Sequence, residues 1–168
     1  MKISPDLTLP EVLAIAIKAE INAQELYRLM ASRIVNSAVQ EKFLHLALQE
    51  QKHEEILTAK YQEATQGEKP VLPKIGRSEV ENKIYEDYSH TAALKLALQA
   101  EEAAANFYLE AAKTARDVNG RFMFEYLANF ERGHKVILED ELSAIETNPH
   151  WFDVEGIPWG EQSIHVGP

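Results

Sequence analysis

In the first part of the chain, Leu13, Ala16, Ala23, Tyr27 and Met30 recur at spacings of three and four, and Glu20 lies on the same stripe. That periodicity is the apolar face of an amphipathic helix. It returns three times, as Phe43, Leu46, Ala47, Glu50, His53 and Leu57, then Leu94, Ala97, Glu101, Ala104 and Tyr108, and finally Phe124, Leu127, Ala128, Glu131, His134 and Leu138. Each apolar face is therefore interrupted by acid, or by acid and imidazole, where a core should be dry.

The pattern predicts four long helices, at about 9–34, 38–64, 91–116 and 121–147. Thr8 and Glu11 form a capping-box pattern for the first, with Pro10 in the opening turn where its missing N–H is harmless. Asn36 or Ser37 caps the second, Asp87 or Ser89 the third, and residues 117–120 read as a tight turn before the fourth. Pro149 pushes Asn148 out of the helical region and ends the last helix. Residues 65–79 carry Gly67, Pro70, Pro73 and Gly76 and read as a connection, with a short helical turn expected at 80–88. Short turns inside each helix pair and one long connection between pairs predict an all-α, ferritin-like four-helix bundle of two hairpins joined by a crossover. The bundle is expected over 1–148. Residues 149–168, with Trp151, Phe152, Ile157 and Trp159, read as an aromatic tail that docks on the bundle or on a partner chain.

The four stripes are two copies of one hairpin. Glu101, Glu131 and His134 each lie 81 residues after Glu20, Glu50 and His53, and no residue is gained or lost between the helices of one copy relative to the other. A lone Glu-x-x-His in a Glu-rich helix usually marks a solvated face. Two in repeat register, both on apolar stripes and each matched by a stripe glutamate, mark a metal site. Carboxylates are almost never fully buried unless paired or metal-bound, and two divalent cations would balance four of them. One Glu from each of two helices plus Glu-x-x-His from the other two is the ligand scheme of di-iron and di-manganese carboxylate bundles. Oxygen and imidazole donors suit iron, with manganese or zinc as substitutes.

The repeat also sorts the remaining polar residues. Glu102 matches Ile21 and Glu54 matches Lys135, so neither is a preferred ligand. Glu25 and Glu110 lie around the helix from the stripe and read as solvated, as does His45. His90, His150 and His165 read as structural. Tyr27 and Tyr108, each seven residues after its glutamate, read as core tyrosines, as hydrogen-bond donors to a ligand, or as redox-active phenols.

Composition narrows the classes. The 168 residues carry 27 acidic and 17 basic side chains, a net charge of −10, which argues against nucleic acid and anionic membrane as partners. No apolar run is long enough to span a bilayer, and the first ten residues lack a signal-peptide core, so a cytoplasmic protein is expected. The absence of cysteine removes disulfides, thiolate metal sites and thiol nucleophiles.

With Glu20…Tyr27 and Glu50-Gln-Lys-His53 in the first hairpin, and Glu101 with Glu131-Arg-Gly-His134 in the second, residues 9–147 resemble the rubrerythrin branch of the ferritin-like superfamily. The resemblance implies a di-iron site that reduces hydrogen peroxide, with electrons from a rubredoxin-like domain bearing four cysteines. Such a domain has no counterpart in this cysteine-free sequence, so a separate electron-donor protein is implied. Rubrerythrins also carry a further glutamate where this chain has Ala104, and the set Glu20, Glu50, His53, Glu101, Glu131 and His134 is similar to the symmetric ferroxidase centre of bacterioferritin. Three functions follow as expectations: a peroxide- or dioxygen-reducing oxidoreductase, an iron-oxidising storage or detoxification protein, and a metal-stabilised interaction or sensor protein. A homodimer or higher homo-oligomer is expected, because the long connection allows two chains to exchange hairpins.

Overall fold

The computed structural model describes residues 7–74, 82 and 88–154. Four helices account for most of them: α1 (Leu9–Arg33), α2 (Ser37–Ala64), α3 (His90–Thr114) and α4 (Val118–Thr147). The helical turn expected at 80–88 lies outside the described residues apart from Asn82 and Tyr88. None of these helices is long and apolar enough to cross a membrane.

The helix ends follow from local hydrogen bonding. Thr8 N and Oγ1 both donate to Glu11 Oε2 at 2.8 Å, starting α1. Asn36 is the cap of α2, its Oδ1 accepting from Val39 N at 3.3 Å, and Ser89 caps α3 by accepting from Ala92 N. The fourth helix corrects the sequence expectation. It starts at Val118 rather than Arg121, because Asp117 accepts from Gly120 N at 2.7 Å and turns the supposed tight turn into a first helical turn. A Cβ at position 120 would meet Asp117 Oδ2 at 2.8 Å, so glycine lets that cap close. At its other end α3 stops at Thr114, two residues short of Arg116, and Ala115 is the C-cap. Past α2, Gln66 takes a left-handed conformation and Gly67 N returns to Gln62 O at 2.8 Å, satisfying a terminal carbonyl.

α1 packs along α2 and α3 along α4, whereas α1 and α3 meet over a much shorter stretch. The core falls into two apolar clusters. One gathers Tyr27, Phe43, Leu46, Leu94 and Leu138; the other gathers Tyr108, Phe124, Leu127, Leu13 and Leu57. Each of these five residues of the first has its twin 81 positions away in the second. The sequence repeat is thus expressed as a two-fold relation that exchanges the two ends of the bundle. The ligand layer lies at the point both ends share.

One end has an addition. Phe152 is fully buried against Phe43, ring centroids 6.1 Å apart, and its carbonyl accepts from Val35 N at 2.9 Å and Asn36 N at 3.1 Å. Asn36 Nδ2 donates to Trp151 O at 3.1 Å, and Trp151 Nε1 donates to Glu141 at 3.0 Å. Residues 151–152 therefore clamp the α1–α2 turn, while 155–168 lie outside the described residues.

Candidate metal centre

α1 and α3 each contribute one glutamate and one tyrosine, and α2 and α4 each contribute Glu-x-x-His. Spacing i, i+3 places both ligands of one helix on one face. All six side chains are buried, from 0% exposed for Glu50 to 2% for Glu20, His53, Glu101 and His134. Their donor atoms converge into two overlapping groups, Glu20, Glu50, His53 and Glu131, and Glu50, Glu101, Glu131 and His134, in each of which one atom per residue lies within 4.8 Å of the others. Glu50 and Glu131 belong to both groups. The other four residues belong to one group each.

Distances obey the two-fold. His53 Nδ1 lies 2.9 Å from Glu50 Oε2, 3.2 Å from Glu131 Oε1 and 3.7 Å from Glu20 Oε2. The twin His134 Nδ1 lies 3.3 Å from Glu131 Oε2, 2.9 Å from Glu50 Oε1 and 3.6 Å from Glu101 Oε2. The two imidazoles are nearly parallel, with centroids 5.6 Å apart. Tyr27 donates its hydroxyl to Glu101 Oε1, and Tyr108 donates to Glu20 Oε1. As the residue number rises from 20 to 27 along α1, its partner's falls from 108 to 101, the register of antiparallel helices. Each tyrosine therefore serves the glutamate of the other hairpin. Its own glutamate, two turns away on the same face, is out of reach.

A donor set that fits a cation should show inward acceptors without well-formed hydrogen bonds. Glu50 Oε1, Glu101 Oε2 and Glu131 Oε1, with both ring nitrogens of His134, are buried and make no geometrically sound hydrogen bond. Such atoms are costly in a core unless a ligand satisfies them. On Glu101 the division is clear: Oε1 takes the tyrosine proton, and Oε2 faces the cluster. The residues fit a pair of divalent ions held by oxygen and imidazole.

Among themselves the six groups share protons so that charge cancels. Burial, reinforced by the charges of Glu131 and Glu50, pushes Glu20 well above the usual carboxylate range despite His53 beside it. Glu101 is raised likewise, by burial first and against the pull of His134. Burial works against ionising Glu50 and Glu131 too, but the adjacent imidazoles outweigh it, lowering Glu50 and bringing Glu131 to about 2. Burial alone would lower the histidines. The carboxylates of Glu131, Glu20 and Glu50 instead carry His53 to about 11, and those of Glu101, Glu131 and Glu50 carry His134 to about 12. Two carboxylates and two imidazoliums thus form a neutral set of the kind that two dications and four carboxylates would form. Burial first, then the acids of the cluster, raises both phenols well above their ordinary range.

Other acidic and imidazole groups stay apart from this cluster. Glu102, Glu25 and His45 are exposed, Glu110 pairs with Lys113 at 2.6 Å, and Glu54 accepts from Gln24 at 2.7 Å. His90 packs edge-on against Phe152 with centroids 4.9 Å apart, His150 is exposed, and His165 lies outside the described residues. One buried acid was not anticipated. Glu141, 3% exposed, receives Lys42 and Trp151 at the end of α4. It continues the spacing of His134 and Leu138, which could have flagged it, but its repeat counterpart is Lys60 and the repeat gives no hint of it.

Comparison with known proteins agrees with this geometry. The Rubrerythrin family profile matches residues 11–142 and again 92–161. A solved structure of a hypothetical protein from Pyrococcus furiosus is 33% identical, with 84% of this chain and 92% of that chain covered and a TM-score of 0.72. An uncharacterized conserved protein from Magnetospirillum magnetotacticum is 26% identical over 82% of this chain and 95% of its own, with a TM-score of 0.62. No curated protein matches at a significant level. A profile match over most of the length, on a bundle whose buried Glu and His residues pair across a two-fold, shows that the chain belongs to the rubrerythrin family.

Proposed function

We propose that this protein is a di-iron carboxylate oxidoreductase that reduces peroxide or dioxygen with electrons from a separate donor protein, and that Glu20, Glu50, His53, Glu101, Glu131 and His134 hold the two iron ions. The observation that carries this reading is the pair of overlapping buried groups, whose inward carboxylate oxygens make no hydrogen bond of sound geometry. Bound iron would supply two electrons and Lewis acidity at the O–O bond. The protein's own part is organisation. Glu50 and Glu131, common to both groups, would be shared between the ions, while Glu20 with His53 and Glu101 with His134 would each serve one. Tyr27 and Tyr108 fix the orientation of Glu101 and Glu20 and hold a proton at the phenolic oxygen beside the ligands.

The test is anaerobic loading with two equivalents of Fe(II), then rapid mixing with peroxide or dioxygen while reoxidation is followed optically. Uptake of two irons and faster reoxidation by peroxide are expected. Binding of fewer than one iron per chain refutes the proposal. A second reading, iron oxidation for storage or detoxification, draws on the symmetric six-residue set and on Ala104, which offers no further carboxylate. It requires dioxygen to outpace peroxide and iron to accumulate beyond two per chain. Exposed Leu44, Leu48 and Val136 support the homo-oligomer that the sequence suggests, and light scattering that returns a monomer at micromolar concentration removes it.

A further inference from the structure

The short α1–α3 contact leaves a cleft of about 230 Å³ between those helices. Its walls are small: Ala19 and Ala23 on α1 face Ala100 and Ala104 on α3, with Leu26 and Phe107 among the larger apolar residues lining it. Glu20, Glu101 and Glu131 also line it, so the cleft reaches the ligand layer. Two of the unsatisfied acceptors, Glu101 Oε2 and Glu131 Oε1, belong to those residues, each 2% exposed or less. A stripe of alanines alone says nothing about a ligand. An apolar cleft that ends on the reacting centre does.

We propose that this cleft binds the hydrocarbon part of an organic hydroperoxide, so that the centre's substrates include alkyl and aralkyl hydroperoxides. The inference rests on the peroxide-reducing reading above and names its substrate class.

Size and polarity both point this way. A cavity of about 150 Å³ lined by apolar side chains accepts benzene and stays dry, while a water molecule takes about 30 Å³ of liquid volume. Hydrogen peroxide, only slightly larger than water, would fill a small part of the cleft. The alanine walls offer it no hydrogen bonds, which leaves Asn22, Glu25 and Tyr108 as the polar lining besides the acids of the site. A tert-butyl or cumyl group fills far more of the volume and leaves its hydroperoxy end toward Glu20, Glu101 and Glu131. The reaction balances as R–O–OH with two electrons and two protons giving R–OH and water. The O–O bond breaks, the electrons come from the ferrous pair re-reduced by the donor protein, and both oxygens leave in reduced form.

Binding can be read without turnover. The full chain, loaded with two equivalents of zinc to be diamagnetic and redox-inert, is titrated with 2-phenyl-2-propanol, the alcohol that cumene hydroperoxide would yield, and with butanol, pentanol and hexanol. Heteronuclear NMR should show saturable shifts at Ala19, Ala23, Ala100 and Ala104. Affinity should rise about fourfold per added methylene, the ratio expected for burying one CH₂. Ala104→Phe, which fills the cleft, should abolish binding while metal content stays at two. Ala23→Leu serves the same purpose if the larger change prevents folding. Non-saturable shifts, shifts scattered over other surfaces as when a second copy covers the cleft, or binding undiminished in the filled variants would overturn the proposal. Alcohol binding together with iron uptake below one per chain overturns the reading beneath it, and the hydroperoxide assignment with it. Two irons taken up without alcohol binding overturns the cleft alone.

Discussion

The ligand layer and the two ends of the bundle are built under different constraints. Among the four glutamates, two histidines and two tyrosines the contacts come in twins 81 residues apart: His53 with Glu131 and His134 with Glu50, Tyr27 with Glu101 and Tyr108 with Glu20. One step outward the symmetry still holds in outline, since Tyr27–Phe43 and Tyr108–Phe124 both have centroids 6.1 Å apart. Beyond that it fails. Phe152 caps Phe43 at one end, whereas at the other Tyr108 is flanked by Phe107, whose repeat counterpart is Leu26. Buried charge must be balanced atom by atom, so divergence there is expensive. An apolar end needs only volume of about the right shape, which many side chains supply.

The widest gap between the two regions should appear on replacing Glu131 with Ala. Because Glu131 belongs to both ligand groups, metal affinity should fall more than about a hundredfold, above the loss typical of residues that merely support ligands. Elemental analysis after anaerobic reconstitution checks it, and two retained metals would remove Glu131 from the ligand list. Phe152→Ala attacks the asymmetric end instead. It should cost about 3–5 kcal/mol of folding stability, as for a buried aromatic, with metal stoichiometry unchanged. Thermal denaturation and metal analysis on the same sample separate the two outcomes.

Proton competition is the next effect in size. With His53 at about 11 and His134 at about 12, both imidazoles are protonated at neutral pH and must release those protons to coordinate metal. Raising pH therefore strengthens binding, and lowering it weakens binding. From these two protons alone, the product of the two metal affinities should change about a hundredfold per pH unit near neutrality. Calorimetry in buffers of different ionisation enthalpy would detect the release, and a pH-independent affinity would contradict it.

Tyr27→Phe and Tyr108→Phe sharpen the symmetry itself. Each leaves one carboxylate oxygen buried without its donor, at about 1–3 kcal/mol, and the two losses should agree. Denaturant unfolding that shows one variant far weaker than the other would place the asymmetry inside the layer. Smallest of all is Glu110→Ala, which removes a surface pair with Lys113. Stability should move by less than about 0.5 kcal/mol, and both metals should stay.

Legibility followed the same division. The four helices were readable because periods of three and four survive any change of exposed residues, and the ligand layer because Glu and His stand out on apolar stripes. The start of α4 is ambiguous in the sequence for a local reason: Asp117 and Gly120 suit a turn as well as a cap, and only the hydrogen bond decides between them. Glu141 escaped because its partners, Lys42 and Trp151, come from other parts of the chain.

By itself the sequence determined which face of each helix turns inward, which residues ride on it, and that the halves are related by a repeat. Only the tertiary structure decided that Tyr27 reaches Glu101 and not Glu20, that Glu50 and Glu131 are the acids common to both groups, and that a cleft remains between α1 and α3. The reason is geometric. Periodicity along one helix fixes the direction of its side chains, whereas contacts between helices depend on their axial offset and separation, which packing of all four sets together.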